Sequence, residues 1–153
     1  MGGAVPMEGG CNCGEVRYRI TAAPFTCYIC HCHLCQKRTG SPFSMTLVLP
    51  AGSLEFTKGQ PERSERALPN GGGVNVAFSC GACMSRIHTE RAGHVALGLR
   101  AGTLDDTSWV RPVAQFWISS AQPWAIVPDI LTYEEQPADP TPMLEAWKAA
   151  FPS

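Results

Sequence analysis

The stretch CYICHCHLC, residues 27–35, puts four cysteines and two histidines into nine positions. It carries half of the eight cysteines in this 153-residue chain. Such a run can hold a metal, form disulfides or present a reactive thiol, and the compartment is the first discriminator. The opening MGGAVPMEGG has neither the cationic region nor the apolar core of a secretory leader, so the expected location is the cytoplasm. There thiols are kept reduced, and eight of them point to metal ligands before disulfides.

The remaining cysteines fall into two pairs, CNCG (Cys11, Cys13) and CGAC (Cys80, Cys83). Zinc in a structural site takes four ligands at tetrahedral corners, commonly as two close pairs brought together by the fold. Cys11 and Cys13 with Cys80 and Cys83 would make such a set and staple the strand that starts near residue 15 to the one that ends near 78. A thioredoxin-type redox role for CGAC is the competing reading. That motif opens a helix in a βαβ unit, whereas RIHTE after it has strand character. Cys30, Cys32 and Cys35 form a C-x-C-x-x-C pattern that one short loop can wrap around a single ion. Three thiolates leave the fourth position free, as catalytic zinc sites do. Cys27 is the ambiguous member. Tyr28 and Ile29 suggest a strand leading into the loop, and in a strand Cys27 and Cys30 point to opposite faces. Cys27 is therefore expected outside the metal's ligands.

The fold class follows from alternation. VRYRI (16–20) sets Val16, Tyr18 and Ile20 on one face, with Arg17 and Arg19 on the other. FSMTLVL (43–49) does the same with Phe43, Met45, Leu47 and Leu49, and Pro50 is expected to end it. VNVAF (74–78) gives Val74, Val76 and Phe78, and RIHTE (86–90), HVALGL (94–99) and VAQFWI (113–118) are further short strands. With 15 glycines and 13 prolines as punctuation, the expectation is a mainly β domain of small antiparallel sheets. Helix is expected only over HLCQKR after Cys32 and over MLEAWKAAF (143–151), with Thr141 as N-cap and Pro142 in the first turn. The C-terminal helix is assigned as a flap over the sheet edge or a dimer contact. The domain reading is a flexible lead at 1–10, one zinc-binding domain at 11–137 and a helical extension of that domain at 138–153. A net charge of −1 gives no basic footprint for nucleic acid, and no apolar run is long enough to span a membrane.

The segments CNCGEVRY, CHCHLCQKRTGSPF, FSCGAC, AGTLDD and QPW resemble the glutathione-dependent formaldehyde-activating enzymes, in this order and over Cys11 to Pro137. The resemblance implies a β-tent fold stapled by zinc. It implies a structural zinc on Cys11, Cys13, Cys80 and Cys83, and a second zinc on Cys30, Cys32 and Cys35 near which glutathione binds as co-substrate. The implied activity is that of a carbon–sulfur lyase joining formaldehyde and glutathione as S-hydroxymethylglutathione, with a small thiol and a small aldehyde as partners. Lys37 and Arg38 are candidates to meet glutathione carboxylates and offset the anionic metal centre. No catalytic group beyond the metal centre is identified. The alternative is a zinc-scaffolded protein-binding module without catalysis. Met84 departs from the family pattern, which usually has Gly after the last cysteine.

Overall fold

A computed structural model describes residues 3–152. Eleven strands follow in chain order: β1 (Met7–Gly10), β2 (Arg17–Ile20), β3 (Thr26–Cys30), β4 (Ser44–Pro50), β5 (Leu54–Lys58), β6 (Glu62–Ala67), β7 (Val74–Ser79), β8 (Arg86–Arg91), β9 (Ala96–Arg100), β10 (Ala114–Phe116) and β11 (Leu131–Thr132). Helix α1 (His33–Thr39) lies between β3 and β4, and α2 (Thr141–Ala150) closes the chain. The strands form a three-stranded sheet, β1-β2-β5, and an eight-stranded sheet, β11-β10-β3-β4-β9-β8-β7-β6. The mainly β expectation holds. Its antiparallel character holds for most pairs, but β10 runs parallel to both β3 and β11.

The core lies between the two sheets. Tyr18 and Ile20 of the small sheet, with Val16 just before β2, meet Leu47, Leu49, Ile87 and Leu99 of the large one, all buried. The opposite face of the large sheet is not bare. Ser44, Thr46, Asn75 and Gln115 are buried polar residues, and the first three line a cleft there. The two-faced sheet corrects the reading of VNVAF. Asn75 and Ala77 are more deeply buried than Val74, Val76 and Phe78, because β7 packs on both sides.

Two other expectations are corrected and one holds. The N-terminal lead contains β1, which pairs with β2 from Met7↔Ile20 to Gly10↔Arg17 and buries Met7. Pro50 is the last residue of β4, as expected, and its carbonyl serves the turn that follows (Ser53 N and Oγ donate to it at 3.2 and 2.7 Å). At α2 the N-cap position is Pro140 and Thr141 is the first helical residue; the side chain that meets its N–H is Asp139, two residues earlier, whose Oδ1 accepts from Thr141 N at 2.9 Å. The helix buries Met143 and Trp147 and packs against β3, where Thr26 Oγ1 donates to Met143 O at 3.4 Å. No helix among the described residues is long and apolar enough to cross a membrane.

Candidate metal centres and the cleft between them

The first centre joins two hairpin turns. Cys11 and Cys13 sit in the turn between β1 and β2, where Gly14 N and Val16 O close around Cys11 at 3.2 and 3.0 Å. Cys80 and Cys83 sit in the turn between β7 and β8, closed the same way by Met84 N on Cys80 O and Cys80 N on Ser85 O, both at 2.9 Å. The four sulfurs all lie within 4.8 Å of one another. Cys11 to Cys13 is 3.6 Å and Cys13 to Cys80 is 3.8 Å. Tetrahedral zinc with bonds near 2.3 Å separates its sulfurs by about 3.8 Å, so this donor set fits the ion. Donors surround the sulfurs: Val16 N gives to Cys11 Sγ at 3.2 Å. The Ser85 hydroxyl, 3.1 Å from Cys83 Sγ, draws that thiol down to about 5 together with the Ser85 amide. The two turns are also tied by Asn12 N to Ser85 Oγ at 3.2 Å.

Met84 occupies a left-handed backbone conformation, φ 63°, with its side chain 72% exposed. Glycine takes this conformation without a Cβ penalty. The turn therefore keeps the geometry that the family's usual Gly suits, with a strained residue in it.

The second centre sits where β3 ends and α1 begins. Cys30 is the last residue of β3, Cys32 is the N-cap of α1 and Cys35 lies in its first turn. Their sulfurs also lie within 4.8 Å of one another. Neighbouring thiols Cys30 and Cys35, and then the amides of Cys35 and Leu34, pull the Cys32 thiol down to about 2. Cys35 N reaches Cys32 Sγ at 3.4 Å, so the sulfur takes the place of a capping oxygen at the positive end of the helix. Cys30 is pushed the other way, chiefly by the anion on Cys32. A cluster that already stabilises one thiolate, and shares its remaining protons, suits a cation that displaces them.

Cys27 does not join this group. It pairs with Leu47 on the core face of β3, fully buried, and burial raises its thiol to about 12. Tyr28 and Cys30 take the other face and line the cleft. His31 points inward, with no exposure, and its Nε2 lies 3.1 Å from Gln115 Oε1. His33 is exposed at the cleft rim.

The cleft has a volume of about 650 Å³ and runs from the three thiols over the face of β9, β8 and β7. Gly98 keeps its floor open: a Cβ there would come within 2.9 Å of the Thr46 methyl and 3.2 Å of Thr89 Oγ1. Of the two basic candidates, Arg38 lines the cleft and Lys37 does not. Trp117 is half-buried and also lines it, while Trp124 is 75% exposed. His88 lies in the core on the opposite face, stacked on Phe78 at 4.3 Å. The sequence reading missed the arginines of the cleft, Arg91 and Arg100 among them, because a charge in a short strand looks like a solvated face.

A family model described as glutathione-dependent formaldehyde-activating enzyme matches residues 6–120, and the chain belongs to this family. A crystal structure of a protein from Rhodobacter sphaeroides is similar in fold, with a TM-score of 0.52 at 15% identity, over 83% of this chain and 99% of that one. No curated protein sequence matches the chain.

Proposed function

We propose that the protein is a zinc-dependent carbon–sulfur lyase that joins a thiol, glutathione in the first instance, to a small aldehyde. The observation that carries this reading is the asymmetry between the two centres. Four cysteines close the first, whereas three cysteines at the mouth of a cleft leave the second with room for a ligand. The first centre is then structural and the second the reactive one, with zinc in both. A zinc ion on Cys30, Cys32 and Cys35 would supply a fourth position on which a substrate thiol loses its proton.

The chain's own residues do the rest. Cys32 at the helix N-terminus and Cys30 at the strand end hold the ligand set rigidly, because each sits on a regular element. His31, locked to Gln115, fixes the backbone between them. Three thiolates and a divalent cation carry a net charge of about −1, and a fourth thiolate makes it −2. Arg38, beside this cluster, offsets that charge and is placed to bind a substrate carboxylate. In the reaction the sulfur–carbon bond forms, the carbonyl π bond opens and the thiol proton ends on oxygen, with no redox change.

The test is S-hydroxymethylglutathione formation from formaldehyde and glutathione, measured above the spontaneous rate. Wild type should exceed that rate and Cys32→Ser should not. A folded, zinc-loaded wild type that never exceeds it sinks the lyase reading and leaves the zinc-scaffolded protein-binding module.

A further inference from the structure

The proposed chemistry uses only the end of the cleft where three thiols meet. The rest of its floor is the face of β6 to β9, and the register brings several arginines to it; Glu62, opposite Ser79 on the same face, turns its carboxylate toward Gly81. Arg66 on β6 stands opposite Asn75 on β7, and Asn75 stands opposite Arg91 on β8. Directly paired residues project to one face. Asn75 and Arg91 line the cleft, so Arg66, exposed on the edge strand, belongs to the same face. Arg100 of β9 lines it too and donates from Nη1 to Thr46 Oγ1 at 3.1 Å. Arg38 enters from α1.

Arg86 arrives by a different device. Strict alternation along β8 would place it with His88 on the core side. Instead the register slips between Phe78↔His88 and Ser79↔Arg86, leaving Ile87 as an extra residue buried in the core. A bulge re-aims the side chains beyond it. Here it turns Arg86 to the cleft face, where its Nε donates to Ser79 Oγ at 3.1 Å.

None of these arginines has an acidic partner among the described residues. The ion pairs there are Arg17–Asp105, Arg19–Glu8 and Arg63–Glu65. Glu90 borders the cleft, but its carboxylate reaches His88 Nε2 at 3.0 Å on the other face. Burial lowers Arg38 and Arg86, and the charges of Arg66 and Arg100 lower both further. The chain as a whole carries a net charge of −1, so this is a local concentration of positive charge. Guanidiniums held together, with Arg38, Arg86 and Arg100 half-buried and Arg66 exposed, repel one another, and a planar oxyanion among them relieves the repulsion and accepts two-point hydrogen bonds.

We infer that Arg38, Arg66, Arg86 and Arg100 form an oxyanion-binding subsite on the strand face of the cleft, one that takes a carboxylate or phosphate group carried by the ligand. The inference rests on the proposed chemistry only in treating that ligand as a thiol; the anion site stands on the strand register.

The test is calorimetric titration of the metal-loaded protein at low salt with inorganic phosphate and, separately, with malonate. At least one should bind saturably to wild type. Arg66→Gln and Arg86→Gln should each weaken that binding about tenfold or more, as loss of a charge-assisted bond implies. Arg63→Gln, whose partner is Glu65, should leave it unchanged. Tighter phosphate marks a phosphate-bearing ligand, and tighter malonate a carboxylate-bearing one. Flat titrations with both probes, or unchanged affinity in both arginine variants, overturn the subsite. In the thiol–formaldehyde assay the same variants should slow glutathione and spare uncharged 2-mercaptoethanol; equal loss with both thiols also overturns it. A wild type that binds the anions yet accelerates neither thiol sinks the lyase reading and leaves the subsite standing.

Discussion

His31 Nε2 and Gln115 Oε1 meet at 3.1 Å with neither residue exposed to solvent, one from the loop that carries the second cysteine cluster and the other from β10. Gln115 also donates to Val127 O at 2.6 Å and Thr132 Oγ1 at 2.9 Å, and accepts from Val127 N at 3.1 Å. Gln115→Leu strands all of these groups at once. Burying polar groups without partners should lower stability by about 3 kcal/mol. Because His31 lies between Cys30 and Cys32, metal retention at the second centre should fall as well. Chemical denaturation and metal analysis check both, and an unchanged denaturation midpoint would refute the role assigned to Gln115.

The two centres should separate by mutation and by chelation. Cys80 is buried and belongs to the four-sulfur set, so Cys80→Ser should give insoluble or metal-poor protein. Cys32→Ser should leave a cooperatively folded domain that no longer binds glutathione. In a chelator titration the three-cysteine cluster should empty first, since fewer bonds must break. Simultaneous loss from both, followed by metal analysis of the retained protein, would contradict the inequality.

Cys27 should behave as a core residue. With its thiol raised to about 12 by burial, it should resist alkylation at neutral pH in the native state. Cys27→Ala should cost about 1–2 kcal/mol through the small cavity it leaves, with the metal content unchanged. A cobalt-loaded protein whose thiolate absorption shifts on this substitution would place Cys27 among the ligands after all.

Met84→Gly should stabilise the folded state by about 1 kcal/mol, because glycine removes the Cβ clash of the left-handed conformation. The gain should be accompanied by slower metal release from the first centre, whose turn is held more easily. Thermal melts of metal-loaded protein decide it, and a lower midpoint for the variant would be the contrary result.

His88 gives a pH dependence of known sign. Burial holds its imidazole below the ordinary value of 6.5, against the smaller opposing pull of Glu90. Above 6.5 it is neutral in both folded and unfolded chains and its contribution is fully present. As the pH falls below 6.5 the unfolded chain takes the proton first, and stability drops through the folded value. His88→Phe should flatten that limb relative to wild type, measured as the difference in denaturation free energy between the two proteins. Parallel limbs would exclude His88 as the source.

How much of this was legible in the sequence depends on which face of a strand is considered. Val16, Tyr18 and Ile20 were legible because their strand has one buried face and one wet one. The cysteine sets were legible because ligand spacing is local chemistry. Strand β6, ERSERA, was not, since an exposed edge strand carries no apolar alternation. Asn75 and Ala77 were assigned outward because alternation alone cannot show that a second face is covered. Arg86 was hidden by the bulge at Ile87, which breaks the period on which its face was judged. Asp139 was passed over at the start of α2 because a Thr-Pro pair two residues later carried the stronger signal.

The two cysteine sets differ in when they can exist. Cys30, Cys32 and Cys35 span six residues, so this ligand set is complete as soon as the chain reaches residue 35. The other set begins at Cys11 and is incomplete until Cys83, and everything that carries the first three thiols lies inside the loop it closes. During synthesis, then, the centre assigned to chemistry can take metal on a short nascent segment. The centre that joins the two sheets can close only after Cys83 has been added, long after Cys35.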